Sequence, residues 1–454
     1  MAARKELLKA QAFVQQRLVS ALVDRDPDSP TPPLRRLKLG LFVSILVGAL
    51  VVAGFGIYGF LKKPGAGLPT EMSILVDSEA GVVFVTTDGK TVYPVTNMAS
   101  AKLITNGASV RSVKTSALAG TPRGQRYGIV EAPAQLPAPS NMNPFPLRVC
   151  SLPDSLESRF TVLDFAAPAV AAHQDSRPTG VVLTDSGNQQ YLVINGLAHV
   201  VKPEAKGAIE TTTVPTPAAD ALIQSLPLGE PIGKIRVPNQ GNPGVDGQRV
   251  GDVVQVGNIN DRDSMSYWIM LVDGWSQISH TDMRATWPDP PVVPASKIND
   301  ESKSKTQQRS ETTGVPLGRV VMTDADTTKV SVCATYDGTK PVPTVEVGTE
   351  VDKPSGSPAV AYYDRVTVAP GAGALLRGSN TPPNGQSFLI WEGKKYGIPD
   401  AESRAALGYG DQPAIGAVLE PVLRMIPDGL PAGVALDQLH ANQPVAAEPS
   451  RRGA

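Results

Sequence analysis

The sequence predicts an α+β protein. One N-terminal transmembrane helix precedes a β-rich extracytoplasmic domain, in which four small repeats surround a central sheet with quasi-twofold symmetry. Three observations lead there. Leu39 to Leu61 holds 23 consecutive residues without a charge. Beyond it, short Val/Ile/Leu/Tyr runs are broken by Gly, Pro, Asp and Asn in a chain with 42 glycines and 42 prolines, a pattern of strands and turns. Finally, one hairpin plan recurs four times, and two cysteines fall at matching places in two halves.

Residues 4–23 read as an amphipathic helix, with Leu7, Val14, Leu18 and Leu22 on one face and Arg4, Lys5, Lys9 and Arg17 elsewhere. Such a helix serves to lie on membrane lipid or to dock on a partner's cytoplasmic domain. Asp24 to Pro33 ends it in a stiff, solvated linker. The apolar run 39–61 would reach about 34 Å as a helix, enough for a bilayer core of about 30 Å. Residues 1–38 carry eight Lys/Arg against four acids, leaving −5 for the rest of a chain whose net charge is −1. Basic flanks stay cytoplasmic, so the bulk, 62–440, is expected outside the cytoplasm, ending in a disordered tail, 441–454. Nothing in that acidic bulk suits nucleic acid, whose binding needs clustered positive charge.

Four segments of the bulk share an apolar run, an acid or Asp-Ser followed by Gly, then an aromatic or apolar pair. They are VVFVTTDGKTVYPV with Asp88 and Gly89, and GVVLTDSGNQQYLV with Asp185 and Gly187. YWIMLVDGWSQIS with Asp273 and Gly274, and SFLIWEGKKYGIP with Glu392 and Gly393, complete the set. Each reads as a hairpin whose Gly accepts positive φ, and the repeats are placed at about 80–120, 179–229, 264–314 and 385–431. Helix-compatible sequence follows: Asn97 is placed to cap MASAKLI and Asp400 to cap AESRAAL. The second and fourth repeats close alike, in LIQSLPLG and LRMIPDGLP. One hairpin and one helix bury too little core to stand alone, so the repeats must share one. RYGIVEAPAQLP, RVCSLP, VGDVVQV, SVCATY and GALLRG are read as strands of a central sheet. Residues 297–314, polar and charged, are read as a mobile loop.

With these residues in view, the chain resembles the EccB family, a membrane component of the actinobacterial ESX (type VII) secretion system. The resemblance rests on TTDGKTVYPVTNMASAKLI (86–104), GIVEAPAQLP (128–137), VGDVVQV (250–256), PGAGALL (370–376) and the order helix, Pro linker, Arg-Arg, apolar run. It implies a structural subunit that scaffolds the extracytoplasmic side of the secretion complex. The implied partners are EccC, EccD, EccE, the mycosin protease and a second copy of the chain. The third repeat departs from the pattern, with Trp275 and Ile278 where others place a tyrosine.

A disulfide between Cys150 and Cys333 is expected. They are the chain's two cysteines, both in a compartment where disulfides persist, in RVC and SVC runs 61 residues after Gly89 and 59 after Gly274. EccB relatives resemble this, with a cysteine pair in the external domain. Two buried free thiols are the rival reading.

Catalytic chemistry is harder to place. Some family members are labelled ATPases, yet a phosphate loop needs G-x-x-x-x-G-K-[ST]. At the nearest match, Gly89-Lys90-Thr91, the required first glycine falls on Phe84. His173, His199, His280 and His440 are scattered, so no metal site is expected. Asp261 and Asp263 sit in a polar stretch that reads as a solvated loop. No cofactor is expected. Alternative readings are a peptidoglycan-binding envelope module and an extracytoplasmic nucleotide hydrolase.

Overall fold

The computed structural model describes residues 2–23, 35–61, 68–155, 158–165, 179–208, 215–287, 289–305, 314–323, 329–410 and 414–445. The Pro-rich linker, most of the tail, His173 and residues 306–313 of the charged loop lie outside them. The chain forms two units, Met1–Leu68 and Pro69–Ala454.

The first unit contains helices Ala2–Val23 and Arg35–Leu61. In the first, Leu7, Val14, Leu18 and Leu22 are exposed, but so are Leu8 and Phe13, which widens the apolar surface beyond a single stripe. The expected transmembrane helix is corrected here: among the described residues no helix is long and apolar enough to cross a membrane.

In the second unit the four repeats share a plan longer than the predicted hairpin. Each opens with three antiparallel strands. These are Ser73–Asp77, Val83–Thr86 and Tyr93–Val95 in the first repeat, and Thr179–Thr184, Gln190–Ile194 and Leu197–Val200 in the second. The third has Val253–Val256, Ser266–Leu271 and Gly274–Ile278, and the fourth Ala374–Gly378, Ser387–Trp391 and Lys394–Ile398. A short helix follows: Met98–Ile104, Pro203–Ala208, His280–Thr286 or Ala401–Ala406. Asn97, Ser279 and Asp400 cap three of these by accepting a backbone N–H. The chain then returns parallel to the first strand, at Val110–Val113, Thr216–Pro217, Val292 and Gly416–Val418.

A last segment latches the open edge of the third strand. In the first repeat Val92 N donates to Pro122 O at 3.0 Å and Gly124 N to Val92 O at 2.9 Å. The second repeat uses Pro227 and Gly229 on Ala198, and the fourth Pro427 and Gly429 on Lys395. The glycine is required because an aromatic ring lies beneath it. A Cβ on Gly124, Gly229 or Gly429 would come within 2.3, 2.2 or 2.3 Å of Tyr93, His199 or Tyr396. In the third repeat Ser302-Lys303-Ser304 makes the same two bonds to Trp275. There the facing strand residue is the small Ser276, so no glycine is needed.

This plan revises several sequence expectations. VGDVVQV and GALLRG are not central strands; they supply the first strands Val253–Val256 and Ala374–Gly378 of the third and fourth repeats. The repeats therefore begin earlier than 80, 264 and 385. GIVEAPAQLP is not a strand, although Tyr127 bridges Val95. Residues 302–304 of the expected mobile loop are the third latch. The start of the expected tail is packed: Val445 N donates to Arg126 O at 2.9 Å.

The central sheet runs Thr344–Val347, Val332–Tyr336, Leu147–Pro153, Arg159–Asp164, Arg365–Thr367. Its middle pair is antiparallel, with Cys150 opposite Cys333 and register extending from Ser151↔Val332 to Leu147↔Tyr336. Two hairpins, 147–164 and 332–347, thus meet across a local twofold axis at the cysteine pair. Strand alternation gives each face one task. Leu147, Val149, Leu163, Val332 and Ala334 bury against Leu183, Leu222, Leu376 and Val422 of the second and fourth repeats. Cys150, Phe160, Val162 and Cys333 cluster separately.

The outer repeats cross over. Ala99 and Leu103 of the first repeat share a core with Leu389, Ile398 and Leu407 of the fourth. Ala285 of the third packs with Val182, Ile194 and Ala205 of the second. Each half's first repeat rests on the other half's second, so the halves cannot part without opening both shared cores.

Replacing Gly429 by Ala is expected to cost about 1–3 kcal/mol through overpacking against Tyr396. Adding Tyr396→Ser, which copies the Ser304–Ser276 pair, should make the double variant less costly than the sum of the singles. A denaturant double-mutant cycle measures this coupling; simple additivity would show that the ring does not dictate the glycine.

Candidate functional site

Cys150 and Cys333 are joined by a disulfide with Cα atoms 4.1 Å apart, and both are fully buried. The bond closes a separation of 183 residues and lies on the axis relating the two hairpins. Buried charge surrounds it. Arg148 pairs with Asp164 at 3.1 Å across the first hairpin. Arg159 has no acidic partner among the described residues: Nε donates to Ser151 Oγ at 2.9 Å and Nη2 to Val330 O at 2.9 Å. Burial lowers its pKa to about 10. Val330 precedes the cysteine strand of the other half, so this guanidinium also joins the halves. Tyr336 Oη donates to Ser225 O, tying that strand to helix Asp220–Ser225, and burial pushes its phenol well up.

The predicted turn residues all lie at connections between strands, with Gly274 opening its strand, but the connections are not equivalent. Asp88 and Gly89 join the second and third strands of the first repeat. Asp88 Oδ1 accepts from Lys90 N and Thr91 N at 2.9 and 3.2 Å, and these bonds hold its carboxyl below the usual range. Glu392 and Gly393, with φ of 49° and 77°, make the matching tight turn in the fourth repeat. Asp273 precedes Gly274, and its carboxylate accepts from Ser304 Oγ at 2.7 Å and Lys305 N at 3.1 Å. A Cβ on Gly274 would meet Ser302 O at 2.5 Å. In the second repeat Asp185 and Gly187 join the first strand to the second. The matching turn is Asn195-Gly196, with φ of 50° and 78°. An Asn-Gly pair is the stronger hairpin signal, and Asp185-Ser186-Gly187 imitated the acid–glycine pattern one hairpin too early.

With the register corrected, a feature missed from sequence appears. Phe84, Tyr191, Trp268 and Phe388 occupy one position on the second strand, opposite Pro94, Val200, Gln277 and Gly397. In the first and third repeats the middle latch residue sits at this ring. Arg123 stands 5.6 Å from the centre of Phe84, and Lys303 6.0 Å from that of Trp268, both cation–π contacts. In the fourth repeat the middle residue is Asp428, paired with Lys395 at 3.0 Å. An open cavity of about 620 Å³ lies there, lined by Tyr362, Phe388, Glu420, Leu423 and Arg424. Lys395 Nζ also donates to Ile426 O at 2.6 Å, so its charge is committed within the chain. The alternating hydrophobic pattern hides this aromatic column, because each ring looks like an ordinary strand residue.

No group of described His, Cys, Asp and Glu residues is arranged to hold a metal ion. His199 is buried under Gly229, with Nδ1 2.9 Å from Glu230 O, and burial lowers its pKa. Lys90 lies in the strand–turn–strand connection after Gly89, where a phosphate loop would need a helix to follow. Asp261 caps a helical turn, accepting from Asp263 N at 3.2 Å.

The fold and its buried staple define a repeat scaffold: four β-rich modules fixed to one cross-linked sheet. The chain belongs to the family described as "Type VII secretion system ESX-1, transport TM domain B", whose profile matches residues 2–443. Among curated relatives, the chain is 26% identical to the ESX-1 secretion system ATPase EccB1 of Mycobacterium tuberculosis. That match covers 63% of this chain and 62% of the relative's length. It is 24% identical to the ESX-5 secretion system ATPase EccB5 of the same organism, covering 92% and 89%. Among solved structures, a chain of an intact ESX-5 inner membrane complex matches with a TM-score of 0.60 at 20% identity, over 99% of this chain and 97% of that one. The EccB3 dimer from the ESX-3 core complex matches with a TM-score of 0.60 at 20% identity, over 82% and 100%.

Replacing both cysteines by alanine is expected to lower stability by about 2–5 kcal/mol, since a loop of 183 residues gives close to 5 kcal/mol at most in chain-entropy models. The backbone pairing of the central strands should survive. Chemical denaturation with far-UV circular dichroism checks this; unchanged stability would remove the staple from the account.

Proposed function

We propose that this chain is a structural subunit of a type VII secretion membrane complex, holding residues 69–454 as a rigid scaffold on the extracytoplasmic side. The observation that carries this reading is the interlock. Four repeats are tied in crossed pairs around one disulfide-bonded sheet, an arrangement suited to presenting fixed surfaces to neighbours. The buried disulfide supports placement in an oxidising compartment. The basic excess of residues 1–38 supports a cytoplasmic position for the N-terminal segment. The partners would be EccC, EccD, EccE, the mycosin protease and a second copy of the chain. The solved structures it matches are described as an inner membrane complex and a dimer.

Relatives carry the label ATPase, and the lysine nearest to a phosphate-loop motif is Lys90. Its surroundings favour the scaffold reading: Asp88 Oδ1 accepts from the amides of Lys90 and Thr91, so these donors are occupied by a carboxylate. Lys90→Ala is expected to leave protein level, recovery of the membrane complex and secretion unchanged within about twofold, because exposed turn side chains contribute little to stability. Affinity purification of the tagged chain with a secretion assay reads this. Loss of secretion with an intact complex would favour a nucleotide role.

A further inference from the structure

The return strands of the four repeats differ at their outer edges. In a strand, alternate residues point their N–H and C=O to the same side. In the first repeat Ser109 O accepts from Ile74 N and Val113 O from Ser78 N, so 109, 111 and 113 face inward. Val110 and Ser112 therefore present N–H and C=O outward, and Lys114 its N–H. None of these groups has a hydrogen-bond partner among the described residues. Val110, Arg111 and Ser112 are exposed.

The symmetry-related edge of the third repeat is closed to pairing. There Pro291 O accepts from Gln255 N, and Val293 N donates to Gln255 O, so the outward residues are Pro290, Val292 and Pro294. Two of these three lack an N–H, a common guard on sheet edges. The other two repeats hide their return strands: Thr216 is fully buried, and a Cβ on Gly416 would meet Pro144 and Phe145 at 2.7 and 3.0 Å. Among the described residues, the first repeat alone of the four offers an open, unguarded edge. Its charges, Arg111 and Lys114, make no ion pair among the described residues, while the carboxylate of neighbouring Asp77 is used by Glu79 N, Ala80 N and Thr115 Oγ1.

We infer that Val110–Val113 is a docking edge for an extended, acidic polypeptide segment of a partner, which adds to the first repeat as a further strand. Main-chain bonds to Val110, Ser112 and Lys114 supply the pairing. Carboxylates at every second residue share one face of the incoming strand and meet Arg111, a cross-strand neighbour at about 5 Å between Cβ atoms.

The test uses the full-length chain and a labelled peptide of alternating valine and glutamate, followed by fluorescence anisotropy. Saturable binding is expected. It should weaken at least tenfold in the Val110→Pro/Lys114→Pro variant, which copies Pro290 and Pro294. Lys114 has φ of −81° and Pro294 −66°, so the backbone at 114 accepts proline. Arg111→Glu should also weaken binding, and a lysine-for-glutamate peptide should bind at least tenfold less tightly to the wild type. Absence of saturable binding, or undiminished binding to a proline variant that melts like wild type, overturns the inference. If the proline variant does not fold, Arg111→Glu decides. Restored preference for the lysine peptide supports the edge, and an unchanged preference for the glutamate peptide overturns it.

Discussion

Everything beyond residue 68 depends on the antiparallel pairing of Leu147–Pro153 with Val332–Tyr336. The pairing runs from Ser151↔Val332 to Leu147↔Tyr336 and sets Cys150 opposite Cys333. That single register places two hairpins in symmetry-related positions. It also turns Leu147, Val149, Val332 and Ala334 to the face that receives the second and fourth repeats. A slip of one residue would turn both sets of side chains to the wrong face and part the sulfurs. The disulfide thus fixes a register that the apolar pattern already favours. Arg159, reaching Val330 O, adds a second tie between halves.

The latch solves a different problem. Each repeat is a small sheet with an open third-strand edge, and such edges invite unwanted pairing. Covering that edge with two backbone bonds brings a segment over whatever side chain follows on the strand. Where that residue is Tyr93, His199 or Tyr396, the covering residue is glycine; where it is Ser276, serine suffices. A compositional rule of the sequence, Pro-x-Gly in the first, second and fourth repeats and not in the third, follows from one steric clash. The residue between then reaches the ring at the shared strand position, as a cation in the first and third repeats. In the fourth it is an acid beside a cavity. Divergence among repeats is concentrated at this point and at the return strand, the surface features left free once the cores are satisfied.

Much of this was legible in the sequence. The hairpin periodicity, the caps Asn97 and Asp400, the two-half layout and the cysteine pair rest on local signals that tertiary contacts leave in place. Likeness between LIQSLPLG and LRMIPDGLP reflects the shared latch at Pro227 and Pro427. What was misread has physical causes. First strands such as Ala374–Gly378 look like any buried apolar run, and only pairing distinguishes a repeat strand from a central one. Asp185-Ser186-Gly187 fits the acid–glycine pattern of the other repeats, whereas the tight turn falls at Asn195-Gly196, where both residues hold the left-handed conformation. Ser302-Lys303-Ser304 falls in the polar run that reads as a mobile loop, since its charge gives no hint that its backbone bonds Trp275. The apolar run at 39–61 was read for length and charge alone, whereas among the described residues no helix is long and apolar enough to cross a membrane.

The central claim is that crossing repeats and a shared, stapled sheet make residues 69–454 one cooperative body. Native-state hydrogen exchange followed by mass spectrometry, with denaturant below the unfolding transition, tests it most directly. The account predicts that amides of 147–153 and 332–336, together with the middle strands 83–86, 190–194, 266–271 and 387–391, converge on one opening free energy equal to that of global unfolding. If the first and third repeats instead open together at clearly lower free energy, while the central sheet stays protected, the interlock between halves is contradicted.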